Sequence, residues 1–370
     1  MNVTARWITR LILILVLVLI AAGIRVLGKR FLHTGDRSVV SYVFDSFAMG
    51  TVLTVKVRTA DKTLAEKAAK LASAEMHRIH KIFDPYDPES EISYLNRIRG
   101  SDSVISVSPD MARVLGEALH IRKLSRGTFE PTLGELIQLW GFNDQPRRPR
   151  IPDTLRIAAL VDSLSGAEGI ELIDEGISVR IAPGTGALDV GGIAKGYGVD
   201  RVVAVLAGIR IKNALVNLGG EIGVLGVGSN GRSWRIGVQH PRKNSYHLGV
   251  IDQVEGMFVA TSGDYERFFL EKGRRYHHIL DPTTGYPTSR GTVSATVIAS
   301  SCLVADALAT SAFVMGPGEG IRFLDSLGVH GLVVYAADGD TESGNLAYSA
   351  TRNFLRIMEP DLDGLPINPP

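Results

Sequence analysis

Asp306 and Thr310 stand four positions apart in a run of small apolar residues that follows a strand-like stretch and Ser301. At that spacing two side chains share one face of a helix. A carboxylate and a hydroxyl are both oxygen donors of the type that a hard cation such as Mg²⁺ takes, and magnesium completes its octahedron with water and substrate phosphate. Ala305, Ala307, Ala309 and Ala312 surround the pair, and a carboxylate among them is costly to bury unless it is paired or metal-bound. The plain alternative is an aspartate that caps a helix or bonds to backbone.

Three other segments carry groups of chemical interest. In Gly184 to Asp200, GTGALDVGGIAKGYGVD, a strand-like Ala187 to Val190 meets paired glycines and a helix expected from Ile193, whose first N–H groups suit a phosphate. Asp189 could accept a hydrogen bond from a ligand and Lys195 could add charge, although a glycine-rich turn also serves plain structure and the spacing is not the dinucleotide fingerprint. In Tyr276 to Pro287, YHHILDPTTGYP, adjacent histidines on a strand point to opposite faces. Only one of His277 and His278 can then face a given site, where a neutral imidazole would serve a hydroxyl nucleophile as general base. Met49 beside Gly50, and Tyr86 in the Asp84–Asp87 turn, are placed to sandwich an aromatic ring, the plain reading being that they cover a core edge.

The elements that must position these groups are legible in outline. Alternation over Val39 to Phe44 and Thr51 to Val57 predicts paired strands about the turn at Met49 and Gly50. Leu64, Ala68, Leu71, Glu75, Ile79 and Ile82 recur at helical spacing, and a second helix is punctuated by Ser108 as cap, Pro109 at its first position and Gly127 as its stop. Further short strands are expected at Ile177 to Ile181, Ala214 to Asn217, Trp234 to Val238 and Val293 to Ile298, mixed irregularly with helices, so the expected class is α+β rather than a doubly wound sheet. The proline- and arginine-rich connection from Asn143 to Asp153 is the expected lobe boundary.

Composition narrows the function classes. The 370 residues are 45% apolar and 21% charged with a formal net charge of +1, which fits a globular protein and lacks the basic excess of a nucleic-acid binder. The one cysteine, Cys302, allows no intramolecular disulfide and no cysteine-rich metal site. Arg6 and Arg10 precede an unbroken apolar run from Leu11 to Ile24, with Arg25, Lys29 and Arg30 beyond it. Residues 1–36 therefore read as a membrane anchor, with a cleaved signal segment as the competitor.

Met49-Gly50-Thr51, DPYD followed by SEIS, GTFEPT from 127, LWGF from 139, DVGGIAKGYGVD from 189, NLGGE from 217, ATSGDYE from 260, HHILDPTTGYP from 277 and ADALAT from 305 together resemble the ApbE family of FAD:protein FMN transferases. The resemblance covers roughly residues 40 to 350, within a domain set at 37–355 and followed by a proline-rich tail, 356–370, expected to be disordered. It implies an α+β fold related to the T-fold, Mg²⁺ as cofactor, FAD as substrate, and a bacterial inner-membrane location with the catalytic domain on the periplasmic side. It further implies that Met49 and Tyr86 pack on the flavin or adenine portions of FAD, that Thr128, Phe129 and Glu130 meet its adenosine end, and that Asp189, Lys195 and Ile279 make further FAD contacts. Asp306 and Thr310 correspond to side-chain metal ligands, Gly192 to a position that offers its carbonyl, and His278 to the histidine credited with assisting transfer. Asp306 is a second candidate for the base. Glu130 departs from the aspartate common in the family.

The chemistry so implied is attack by a threonine hydroxyl on the FMN phosphorus of FAD with expulsion of AMP. The implied acceptor motif, Asp-x-x-(Ser/Thr)-Gly-Ala-Thr, belongs to a partner such as a subunit of a sodium-pumping NADH:quinone reductase or Rnf-type complex, and it is missing from this chain. Two rivals stand beside this reading: an Mg²⁺-dependent FAD pyrophosphatase that releases FMN and AMP, and a non-catalytic flavin-binding or delivery protein.

Overall fold

Met49 and Gly50 both take positive φ, 51° and 75°, and form the two-residue turn between β1 (Val40–Ala48) and β2 (Thr51–Thr59). Such primed turns match the twist of the strands they join. A methionine in this left-handed conformation costs roughly 1 kcal/mol, which the packing of its side chain against the helices behind it offsets. The computed structural model describes residues 39–360 apart from 143–149, 164–165, 175–176, 244–245 and 253–255. The expected anchor over 1–36 lies outside the described residues, and among those described no helix is long and apolar enough to cross a membrane.

After β2, helix α1 (Lys62–Phe83) starts at Asp61, whose side chain accepts from the Leu64 N–H, and buries Ala65, Ala68, Ala72, Met76, Ile79 and Phe83 along one face. Ser90 caps α2 (Glu91–Ile98). Beyond β3 (Val104–Ser106), α3 (Pro109–Leu124) begins as its punctuation predicts, with Ser108 accepting from the Met111 N–H. Helices α4 (Gly134–Trp140) and α5 (Thr154–Ser163) follow, then β4 (Ile170–Ile173) and β5 (Ser178–Ile181), which join β3 in a small sheet of order β3-β5-β4.

The central sheet is built from distant pieces. Its eight strands run in the order β1-β2-β6-β7-β10-β13-β14-β15, with β6 (Ala214–Leu218), β7 (Glu221–Leu225), β10 (Phe258–Gly263), β13 (Thr292–Ala299), β14 (His330–Ala336) and β15 (Leu346–Ala350) paired antiparallel in turn. Alternate residues of β13 face opposite cores: Ala295, Val297 and Ala299 meet the helices, while Ile298 meets a second sheet. That sheet, in the order β16-β9-β8, comprises β8 (Ile236–Gln239), β9 (His247–Ile251) and β16 (Met358–Pro360), with the short α9 (Phe354–Ile357) leading into β16. Three layers result: helices, central sheet, small sheet.

On the helical side lie α6 (Gly191–Gly208), α7 (Cys302–Met315) and α8 (Pro317–Ser326). Helix α7 is apolar all round and buries nearly every residue, as a helix in the middle of a core must. The hairpin of β11 (Phe268–Glu271) and β12 (Arg274–His277) stands apart from the central sheet.

Four sequence expectations need correction. Ala187–Val190 is no strand but an irregular extended segment: the Asn96 side chain donates to the Leu188 carbonyl and accepts from its N–H, and the Asp189 N–H donates to the Pro131 carbonyl. Helix α6 accordingly begins at Gly191 rather than Ile193. The connection near 143–153 divides no lobes, because the chain from Ser41 onward forms one compact unit. The tail begins later than 356, since Met358–Pro360 pair with β9.

Candidate functional site

The site is set where α6 and α7 cross at close range. The Gly196 N–H donates to Asp306 Oδ2 at 2.9 Å. A Cβ at Gly196 would lie 2.3 Å from the Cys302 carbonyl oxygen and 2.8 Å from Asp306 Cβ, and one at Gly192 would lie 3.3 Å from Thr310 Oγ1 and from the ring of Phe129. Glycine at both positions is what lets the helices approach. The oxygens of Asp306 and Thr310 thus face the first turns of α6, where Gly192 stands.

Thr310 Oγ1 also donates to the Asp306 carbonyl at 3.2 Å and lies 3.1 Å from Ser262 Oγ, on the end of β10. Asp306 is 3% exposed. Burial raises its pKa, opposed by the charge of Lys195 and by the Gly196 N–H. The backbone bond anticipated as the plain alternative is therefore real, yet it occupies only Oδ2.

Lys195 reaches Glu221, the last residue of NLGGE, in a tight ion pair. Burial works against the ammonium, but Asp306 and Glu221 outweigh it and keep Lys195 charged. Glu221 is buried, its second oxygen Oε2 has no hydrogen-bond partner, and burial followed by the nearby Asp306 raises its pKa against the pull of Lys195. Two buried carboxylates thus share one ammonium. A further cation facing them would relieve the desolvated charge, so the oxygen donors present fit Mg²⁺, with Asp306, Thr310 and the Gly192 carbonyl as the residues to hold it. Among the described residues no group of three His, Cys, Asp or Glu side chains forms a different metal centre.

The structure separates the two histidines. His277 is buried, its Nε2 faces the Thr288 carbonyl at 3.2 Å, its Nδ1 accepts from the Ile279 N–H at 3.3 Å, and its ring meets Phe313 edge-on. Both nitrogens are spent on structure. His278, one residue past β12, puts Nδ1 3.3 Å from the Arg267 carbonyl. A carbonyl can only accept, so the ring proton sits on Nδ1 and Nε2 keeps its lone pair. Burial first, then the charges of His277, Arg267 and Lys195, push the His278 pKa down to about 3. It is a neutral imidazole with a free base nitrogen.

The remaining predicted residues divide. Asp189 is half-buried, accepts from the Gly191 N–H at 2.8 Å, and has its pKa raised by burial against the charge of Arg267. Phe129 packs against Gly192. Met49 places Sδ 3.6 Å from where a Cβ of Gly198 would be. Ile279 lies in the main core beneath this region. Tyr86 is 46% exposed on a turn tied by Asp84, whose Oδ1 accepts the Tyr86 N–H. Thr128 and Glu130 bond locally: Thr128 Oγ1 donates to the Ser125 carbonyl, while Glu130 accepts from Arg122 in the last turn of α3 and from Thr132.

Sequence reasoning missed Glu221, Ser262 and Arg267. The block NLGGE contains Glu221 and the segment ATSGDYE contains Ser262, but neither shows which strand end faces Lys195 or Thr310, and Arg267 lies just past the second block with no signal of its own. LWGF finds a structural role: Trp140 Nε1 donates to the Gly285 carbonyl at 2.9 Å, and its ring stacks with Phe142 and Tyr276. It clasps the turn after His278.

Comparison with known proteins gives a consistent result. Residues 49–333 match the ApbE family. A Vibrio cholerae protein named FAD:protein FMN transferase is 33% identical over 296 residues, covering 78% of this chain and 86% of the relative. A Haemophilus influenzae protein of the same name is 31% identical over 295 residues, covering 78% and 83%. The crystal structure of the ApbE protein of Thermotoga maritima superposes with a TM-score of 0.77 at 32% identity, over 86% of this chain and 99% of that one.

Proposed function

This chain belongs to the ApbE family, and we propose that it is an FAD:protein FMN transferase that cleaves the pyrophosphate of FAD with Mg²⁺ and joins FMN to a threonine hydroxyl of another protein, releasing AMP. The observation that carries the reading is the meeting of Asp306, Thr310 and Gly192 across two helices, with charged Lys195 beside them.

The reaction forms a bond between the threonine oxygen and the FMN phosphorus and breaks the bond from that phosphorus to the bridging oxygen, which leaves on AMP. Lys195, fixed by Glu221, holds positive charge near the phosphates. His278 Nε2 takes the hydroxyl proton, because its Nδ1 is held by the Arg267 carbonyl and its Nε2 lone pair is free; the burial that keeps the ring neutral also weakens it as a base. At the start of α6 the Gly191 N–H is taken by Asp189 and the Ile193 and Ala194 N–H groups by the Val190 carbonyl, which leaves the Gly192 N–H as the donor to phosphate oxygen. When bound, Mg²⁺ supplies charge neutralisation at the pyrophosphate. Phe129 beside Gly192 supports FAD binding along this edge, with Asp189, Met49 and Tyr86 as further contacts.

The acceptor is a protein bearing the Asp-x-x-(Ser/Thr)-Gly-Ala-Thr motif. The apolar run from Leu11 to Ile24 supports a membrane anchor, while the bacterial inner membrane and the periplasmic side of this domain rest on the family resemblance alone, because Arg6, Arg10, Arg25, Lys29 and Arg30 flank the run on both sides. The test is to incubate the chain with FAD, Mg²⁺ and a domain carrying the motif, then weigh the domain. A gain of one FMN that is lost in Asp306→Ala supports the reading, and FAD left intact by the wild type refutes it.

A further inference from the structure

Helices α6 and α7 meet in a ladder whose third rung lies outside the site. Going down α6 in steps of four, Asp200, Gly196 and Gly192 stand opposite Cys302, Asp306 and Thr310, which go up α7 in the same steps. The two lower rungs hold Asp306, Thr310 and Gly192, the cation site of the proposed function. The upper rung is Asp200, from the end of the glycine-rich segment. Its Oδ1 accepts from the Cys302 N–H at 2.7 Å, and its Oδ2 accepts from the Leu303 N–H at 3.0 Å and from Ser301 Oγ at 2.8 Å.

The first N–H groups of a helix need partners from outside it, but α7 already has a cap of its own in Ser301, whose side chain accepts from the Val304 N–H. A second anionic cap contributed by the neighbouring helix adds something a local cap does not. It ties the start of α7 to one height on α6. A slip of one residue would move Asp306 and Thr310 by about 1.5 Å along the helix axis. Magnesium tolerates little departure from octahedral geometry at about 2.0–2.1 Å.

We infer that Asp200 is a positioning residue that sets the register of α7 against α6, and through it the placement of the Asp306 and Thr310 oxygens opposite Gly192. The inference rests on the reading of that face as the cation site. It assigns Asp200 no contact with metal or FAD.

The experiment titrates the full chain with Mn²⁺ alone, counting free ion by its paramagnetic resonance, alongside thermal unfolding without metal. Asp200→Asn, which turns an amide towards donors, and Asp200→Glu, which lengthens the strut, are each expected to weaken Mn²⁺ binding about tenfold, the scale of lost outer-sphere support. Ser301→Ala removes the helix's own cap but leaves both backbone bonds of Asp200; it is expected to lower the unfolding temperature with Mn²⁺ affinity unchanged. Asp200 variants that bind Mn²⁺ as tightly as the wild type, or a Ser301→Ala loss equal to theirs, would overturn the inference. A wild type with no saturable Mn²⁺ binding would refute the cation site itself, and the inference with it.

Discussion

The Gly196 N–H donates to Asp306 Oδ2 at 2.9 Å, so the carboxylate read from sequence as a metal ligand is also the pin that joins the two central helices. One oxygen holds the fold and the other is left for chemistry. A side chain at Gly196 would break this arrangement, because its Cβ would lie 2.3 Å from the Cys302 carbonyl oxygen. Gly196→Ala is expected to lose about 1–3 kcal/mol of stability from overpacking, measured by urea unfolding, and to lose activity out of proportion to the folded fraction. Full activity in this variant would show that the helices need not be so close.

Lys195 and Glu221 form a second pair with unequal duties. Removing the ammonium takes away charge at the phosphates, so Lys195→Met is expected to lower kcat about a hundredfold. Glu221→Gln leaves the lysine in place and is expected to cost less. Steady-state kinetics with FAD check the order, and the reverse order would contradict the division of labour between the two side chains.

His278 titrates far from the usual histidine range because burial holds its pKa near about 3. It stays neutral as pH falls from 8 through its ordinary value near 6.5, and gains a proton only as pH approaches the depressed value. The pH profile of kcat/KM is therefore expected to show no histidine limb near pH 6.5. A limb there that vanishes in His278→Gln would show the imidazole to be far more solvated than this structure has it.

Behind the hairpin that leads to His278, Asp264 accepts both guanidinium nitrogens of Arg242, at 2.7 and 2.6 Å, while Arg275 on β12 sits 3.9 Å away and pairs with Glu342. Asp264 is fully buried. Replacing it with asparagine leaves two largely buried guanidinium groups short of charge, and a loss of roughly 3–5 kcal/mol is expected. Hydrogen exchange should report faster opening of Phe268–His277. Unchanged protection there would mean that the network does not brace the hairpin.

What could be read from sequence was local. The Asp306 and Thr310 pair follows from helical spacing alone, and the start of α3 follows from Ser108 and Pro109, a cap and a first-turn proline side by side. The turn at Met49 and Gly50 was legible because two strands flank it. What escaped depends on contacts across the fold. The strand anticipated at Ala187–Val190 has the right residues but finds its partners in the Asn96 side chain and the Pro131 carbonyl instead of a ladder. Glu221 meets Lys195 only because β7 starts beside α6, and His277 parts from His278 only because Thr288 and Phe313 close on one of them. Glu130, placed by resemblance at the adenosine end of FAD, is bonded to Arg122 in the last turn of α3 and to Thr132 beside it, a relation that residue type does not announce.

Direct passage of FMN from FAD to a threonine oxygen is the central claim, and it is tested most directly by running the reaction with Mg²⁺ and an acceptor domain in water labelled with heavy oxygen. Direct transfer predicts one acceptor-bound FMN and one AMP for each FAD consumed, neither carrying the label. Free FMN or AMP bearing heavy oxygen, with the acceptor unmodified, would contradict it and identify the chain as a hydrolase of FAD.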